Sequence, residues 1–269
     1  MSSATGKSAA NAAQNSRILK SLARIGYVVL GIVHIVIGTI AISVAQGAGG
    51  EADQGGAMQQ VASWPFGLVL LWLIALGLFA LGLWQVAEAF LVRDPDSKKK
   101  WGYRVKYVGT AIAYVTIGVT ALVYALGGRS DGDQSTQTLS AQLLATPGGV
   151  FLLVLVGLVV AGVGVAFVYR GATRKFEEHL ELPGSGAARR GILVFGTVGY
   201  IAKGIAVGIV GVLFVVAAVT ADAEAAGGLD AALKSLSDLP FGVVILWLVG
   251  AGLVVYGIFC FARARYAKM

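Results

Sequence analysis

Little in this chain can do chemistry. Cysteine occurs once in 269 residues, as Cys260, which excludes an intramolecular disulfide framework and a cysteine-ligated zinc or iron–sulfur site. Histidine occurs twice, as His34 and His179. Bis-histidine haem ligation needs both in one apolar layer, yet His179 stands among Glu177, Glu178 and Glu181. Charged residues make up 13%, about half the share of an average globular protein. No nucleophile–base pair, Walker loop, metal-ligand spacing or deaminase signature can be read along the chain. These deficits lead us to expect no enzyme and no cofactor.

Apolar residues and glycine fill the space instead. They amount to 57% hydrophobic residues and 38 glycines, with a mean hydropathy of +0.79. A water-soluble globule of this size has too little interior to hide such a composition. A cytosolic enzyme, a disordered chain and a nucleic-acid-binding domain are therefore excluded, despite the net charge of +7.

A helix needs about 20 apolar residues to cross a bilayer. Runs of that length lie at Ile25–Ala45, Phe66–Ala87, Val108–Leu126, Gly148–Tyr169, Ile192–Ala221 and Phe241–Ala262. They lack the period-2 alternation of a transmembrane barrel, so helices are expected. The first run ends in Ser43-Val44-Ala45, which resembles a signal-peptide cleavage site. Its length, and two internal copies described below, identify it as a span.

Lysine and arginine set the expected orientation. The N-terminal tail, the loops near Arg93–Lys106 and Arg170–Arg190, and the C-terminal tail hold 18 of the 21 basic residues. The opposite loops carry Arg129 and Lys234 against eight carboxylates, from Glu51 and Asp53 to Asp238. The positive-inside rule then puts both termini in the cytoplasm. Anionic lipid headgroups are the natural partner of the basic edge, and nucleic acid is not.

The chain is also a threefold repeat. Tyr27, Tyr107 and Tyr200 align; four residues on stand Gly31, Ala111 and Gly204, and eleven on stand Gly38, Gly118 and Gly211. Pro65, Pro147 and Pro240 align farther along. Each is followed by Gly67, Gly149 or Gly242, then by Ala75, Gly157 or Gly250, then by Gly82, Gly164 or Gly257. Three parallel hairpins entering from one side are expected to be related by a pseudo-threefold axis along the membrane normal. The expected organisation is a disordered cytoplasmic tail over 1–16 and hairpin repeats over 17–100, 101–185 and 186–269, forming one integral membrane domain. The fold class is all-α, with six transmembrane helices. Proline is expected to open each second helix, and the recurring small residues to bring helix backbones together. Before each proline, Met58 and Val61, Ser140 and Leu143, and Leu233 and Leu236 recur at minus seven and minus four. That spacing predicts short amphipathic helices lying on the outer leaflet.

The openings Gly26-Tyr27 and Gly199-Tyr200, the glycines Gly31 and Gly38, and the starts Pro65-Phe66-Gly67 and Pro240-Phe241-Gly242 resemble the domain-of-unknown-function 1206 family of bacterial integral membrane proteins. The resemblance covers about residues 20–265. It implies three two-helix repeats in a bacterial plasma membrane, and it implies no activity or substrate. The middle repeat departs most, with Lys106-Tyr107 and Pro147-Gly148-Gly149. The family often places arginine third after the tyrosine, where this chain has Leu30, Thr110 and Lys203.

Ionisable residues inside apolar spans are the default candidates for function. Here they are His34, Lys203 and Glu88, with Gln85 and the tyrosines Tyr27, Tyr107, Tyr114, Tyr200 and Tyr256. Repeat alignment puts Lys203 six residues beyond the level of Arg24 and Arg104, within snorkelling reach of headgroups. Pairing with Glu88 would lower the cost of both charges. His34 aligns with Tyr114 and Val207, and an imidazole beside a phenol could bind a quinone carbonyl or relay a proton. The leading expectation is a non-enzymatic scaffold, lipid binder or accessory subunit of a larger membrane complex. A transporter or channel on the pseudo-threefold axis, or a quinone or lipid site near His34, remains open.

Overall fold

A computed structural model describes residues 16–92 and 95–268. The expected tail over 1–16 thus lies, but for its last residue, outside the described residues. Among them stand nine α-helices: α1 (Arg17–Ala45), α2 (Gln54–Ala62), α3 (Gly67–Leu91), α4 (Ser97–Ala125), α5 (Gly132–Leu144), α6 (Gly149–Ala172), α7 (Ala187–Thr220), α8 (Leu229–Ser235) and α9 (Gly242–Tyr266). Six of them, α1, α3, α4, α6, α7 and α9, are long and apolar enough to cross a membrane. The protein is a multi-pass membrane protein built from three hairpin repeats, each with a short helix in its connecting loop.

The helices outrun the apolar segments that announced them. α4 begins at Ser97, eleven residues before Val108, and takes in Lys98, Lys99, Lys100, Arg104 and Lys106. α1 begins at Arg17 and α7 at Ala187, again including basic residues. Hydropathy marks where a helix meets hydrocarbon; backbone hydrogen bonding continues into the polar zone until a cap ends it. Asp96 supplies such a cap for α4, its carboxylate accepting from the Lys98 amide at 2.9 Å.

Proline does not open the second helix of each pair. The helix starts two residues later, on Gly67, Gly149 or Gly242, and the residue between is left-handed: Phe66 at φ 63°, Gly148 at 79° and Phe241 at 61°. The amides of the three glycines donate to Trp64, Thr146 and Leu239 at 2.9, 2.9 and 2.7 Å, closing the same turn three times. A β-carbon on these glycines would overlap the carbonyls of Val61, Leu143 and Leu236. The glycine is therefore required by the reversal that lays each short helix against the start of the next span. The unusual Pro-Gly-Gly of the middle repeat meets the left-handed position without strain, whereas its counterparts force phenylalanine into it.

Of the six recurring positions of the short helices, Met58, Val61, Ser140, Leu233 and Leu236 are buried and Leu143 is half-buried.

The described residues form two compact units. One unit holds the start of α1 up to Leu30, Val61–Gly128 with α3 and α4, and the chain from Cys260 on. Within it α3 runs along α4, with Gly82 against Val115 and Ala111. The other unit holds Gly31–Gln60 and Arg129–Phe259. Within it α6 runs along α7, where Gly164 meets Gly204 and Gly208, and Gly157 meets Gly211. The same unit contains the contact of α1 with α9, where Gly31 meets Gly257 and Gly38 meets Gly250. In each case the second helix of one repeat packs on the first helix of another through repeat-equivalent residues.

The acidic loops of this second unit are interlocked by three aspartates, one from each repeat. Asp230 accepts from the Ala52 amide at 2.8 Å, and Asp133 accepts from Gly228 at 2.8 Å and Ala231 at 2.9 Å. Asp53 caps α2 by accepting from Gly56 at 2.8 Å, and its other oxygen lies beside Gly132. Burial pushes the Asp53 carboxyl up to about 6, the Gly56 amide opposes that rise, and the negative charges of Asp133, Asp230 and Glu51 add to it. Asp133 is also raised, by burial first and then by Asp230. Lys234, 2.6 Å from Asp230, is the cation in this cluster, and that hydrogen bond raises it.

Candidate functional site

Glycine faces bring α1, α7 and α9 close enough to build a polar cluster in apolar surroundings. On α1, Gly31, His34 and Gly38 share one face at spacings of three and four, so the contacts of Gly31 and Gly38 with α9 direct His34 toward that helix. On α7, a β-carbon at Gly199 would stand 2.6 Å from the Tyr256 Cα, and one at Gly252 would overlap Ala202. This close approach places Tyr256 beside the residue one turn after Gly199, which is Lys203.

The ammonium of Lys203 stands 3.3 Å from His34 Nε2 and 3.5 Å from Tyr256 Oη. It also lies 4.5 Å from the centre of the Tyr256 ring and 5.4 Å from that of Phe167. With an ammonium donating, Nε2 of His34 must present its lone pair and carry its proton on Nδ1. The His34 and Tyr256 rings are tilted against each other at 4.8 Å. His34 and Tyr256 are buried, while Lys203 and Phe167 keep partial exposure.

Magnitudes show how a charge is tolerated here. A lysine at mid-membrane costs about 2.5–3.5 kcal/mol on insertion scales, and a desolvated cation–π contact returns about 2 kcal/mol. Two rings and one imidazole acceptor thus offset most of the cost. Lys203 stands 17 residues before the acidic end of α7 at Thr220, which is about 25 Å along the axis. His34, 11 residues before Ala45, is about 16 Å from the acidic end of α1. The lysine backbone is therefore near the basic edge of a hydrocarbon layer about 30 Å thick, and the imidazole is near its middle.

A layer of aromatic rings continues the site toward the basic end. Tyr200 meets Tyr256 edge-on at 5.4 Å and stacks on Phe176 at 5.4 Å. Phe176 in turn meets Phe259 edge-on at 5.2 Å. Gly196 makes the room, since a β-carbon there would lie 2.5 Å from the Phe176 ring.

Of the residues singled out in the sequence, the structure brings His34 and Lys203 together. The phenol beside His34 is Tyr256. Tyr114 and Glu88 belong to the first unit: Tyr114 is buried on α4, and Glu88 on α3 lies within the field of Lys106. Gln85, also on α3, is buried, and its Oε1 makes no hydrogen bond among the described residues. Tyr27 receives a hydrogen bond from Arg263 at 3.2 Å, with the guanidinium 4.4 Å from its ring centre. Tyr256 is one of the five tyrosines singled out in the sequence, though not as the partner of His34, while Phe167 and Phe176 escape that reading. The available signal was the position of Tyr256 directly before the repeat glycine Gly257, on the face that α9 turns to α1.

The chain is 31% identical over 264 residues to "Uncharacterized protein YxxB" of Bacillus subtilis (strain 168), an alignment covering 93% of this chain and 92% of that protein. No solved structure matches it. The family model for the Domain of Unknown Function DUF1206 matches three times, over residues 25–91, 105–174 and 198–267. With three matched segments that follow its three hairpins, the chain belongs to the DUF1206 family.

Proposed function

We propose that this protein acts by binding and not by catalysis: it holds the phosphate of an anionic phospholipid at Lys203, in the cytoplasmic leaflet of the bacterial plasma membrane. The carrying observation is Lys203, partly exposed and with its backbone near the basic edge of the bilayer, whose ammonium is held by His34, Tyr256 and Phe167. Those partners are an imidazole, a phenol and a phenyl ring, which accept from or polarise toward the cation. An arriving phosphate gains charge-assisted hydrogen bonds from Lys203. The asymmetry of basic residues supports cytoplasmic termini and an anionic leaflet beside the cluster. A lipid-binding scaffold or accessory subunit of a larger membrane complex is the role that such a site serves.

Native mass spectrometry of the purified protein with equal amounts of phosphatidylglycerol and phosphatidylcholine tests the reading. Wild type is expected to retain phosphatidylglycerol, and Lys203→Met to lose that preference while keeping its fold. Equal retention of both lipids by wild type overturns the proposal. Displacement of the retained lipid by millimolar inorganic phosphate assigns the cluster to a soluble anion instead.

A further inference from the structure

The chain between α6 and α7 is polar, and most of it is exposed. Lys175, Glu178 and His179 are exposed, yet Phe176 between them is only 2% exposed. It belongs to a short 3₁₀ turn, Lys175–His179, that dips into the aromatic layer of the second unit. The ring stacks on Tyr200 with the planes 13° apart, and Tyr200 meets Tyr256, the residue that flanks Lys203. Phe176 touches α7 at Gly196 and Tyr200, seven and three residues toward the basic end from Lys203, about 10 and 5 Å along the axis. It therefore stands between the basic face and the Lys203 cluster.

Three features suit this turn to movement. Arg174, at the residue before it, is left-handed at φ 56°, and Gly186, just before α7, is at φ 113°. Backbone strain thus sits at Arg174, and the conformational freedom of glycine at Gly186, so the two ends of the segment suit a hinge. The turn is tied down by an ion pair of Glu177 with Arg189 on the first turn of α7, and by Lys175 lying 4.9 Å from the Tyr169 ring centre. Both partners of the ion pair are about one-third exposed (35% and 33%), so the tie is weak and screened by salt. The buried side chains that withdrawal gives up are Phe176 and, beside the turn, Leu180.

We propose that the Lys175–His179 turn is a retractable strap, whose Phe176 ring closes the basic-side approach to Lys203 and must leave Tyr200 for a bound headgroup to exchange. The proposal rests on the reading of Lys203 as a phospholipid site and adds its regulation. Seated, the ring excludes water from the cation and holds the lipid; lifted, it exposes Tyr200 and a path along α7 to the headgroup region.

Exchange kinetics test it in the full-length protein. Dansyl-phosphatidylglycerol is loaded onto the protein, and its release into excess unlabelled phosphatidylglycerol is followed by loss of energy transfer from tryptophan. Phe176→Ala is expected to speed release about tenfold, an effect on the off-rate. In a Cys260→Ala background, Glu177→Cys with Arg189→Cys bridged by a short bis-methanethiosulfonate reagent, each cysteine thiolate displacing methanesulfinate, is expected to slow release about tenfold, and reductant to restore it. The bridged variant decides the matter even if Phe176→Ala unfolds. Release unchanged by bridging overturns the strap while the lipid site stands, provided wild type prefers phosphatidylglycerol and Lys203→Met does not. Absence of that preference in wild type overturns both.

Discussion

Gly164 of α6 and Gly204 of α7 meet reciprocally: a β-carbon on either would come 2.7 Å from the carbonyl oxygen of the other. No side chain fits that gap. The equivalent pair Gly257 and Gly31 is as close, with 2.5 Å from a β-carbon on Gly257 to the Gly31 carbonyl. The third pair is looser, Gly82 standing against Ala111 at 3.5 Å, and there an alanine is accommodated. In lipid, where apolar side chains gain nothing by leaving their solvent, such backbone contacts carry helix association.

Replacing Gly164 by leucine is therefore expected to cost at least about 1–3 kcal/mol through overpacking. Gly162, two residues away, has nothing within 4 Å of its β-carbon position, and Gly162→Leu is expected to be neutral. Thermal unfolding in detergent should separate the two variants. Equal midpoints would show that the Gly164 contact does not support the fold.

At Lys203 the ring of Tyr256 matters more than its hydroxyl, because the ring centre is 4.5 Å from the ammonium while the oxygen is at the limit of hydrogen bonding. Tyr256→Phe is expected to keep most phosphatidylglycerol retention, and Tyr256→Leu to lose about tenfold or more with the loss of about 2 kcal/mol of cation–π stabilisation. Matching losses in the two variants would move the weight to the hydroxyl.

The acidic clasp gives a pH dependence whose sign follows from Asp53. Its carboxyl titrates at about 6 in the folded protein against 3.8 ordinarily, so the folded state binds the proton more tightly. The favourable contribution is complete below about pH 4 and is lost as the pH rises through about 6. Amides of Ala52 and Gly56 should be better protected from hydrogen exchange, after correction for intrinsic rates, at about pH 5 than at about pH 7.5. Asp53→Asn keeps a cap and removes the buried charge; it is expected to stabilise the clasp at neutral pH by about 1–3 kcal/mol and to flatten the profile. A profile unchanged by that substitution would assign the dependence to Asp133, which burial also raises.

Topology is open to a direct test. A reporter fused after residue 268 that is active only in the cytoplasm should give signal, as the distribution of basic residues requires. Activity of a reporter that works only outside the cytoplasm would reverse the orientation and remove Lys203 from the anionic leaflet.

The six spans and the threefold repeat were legible because hydropathy and small-residue spacing are properties of the chain itself. Helix starts were not, since α4 gains eleven residues from polar sequence that hydropathy reads as loop. The left-handed Phe66 and Phe241 were hidden behind their prolines, which suggested a helix start where the backbone makes a turn. His34 and Lys203 could be picked out as rare ionisable residues in apolar runs. Their meeting could not, because it depends on glycine-lined contacts of α9 with both α1 and α7, and the Lys203–His34 pair spans 169 positions. Phe176 was masked by the charged residues around it, and only tertiary packing reveals which aromatic in a polar loop turns inward.

The aspartate clasp sets an order on biogenesis. The amide of Ala52 finds its acceptor in Asp230, 178 residues later, and Gly31 finds Gly257 farther on still. A ribosome that has delivered the first hairpin has therefore made a loop whose partner does not yet exist. That loop waits, with the Ala52 amide solvated by water, until the last hairpin has been made. Truncation before Asp230 leaves the amide without this acceptor.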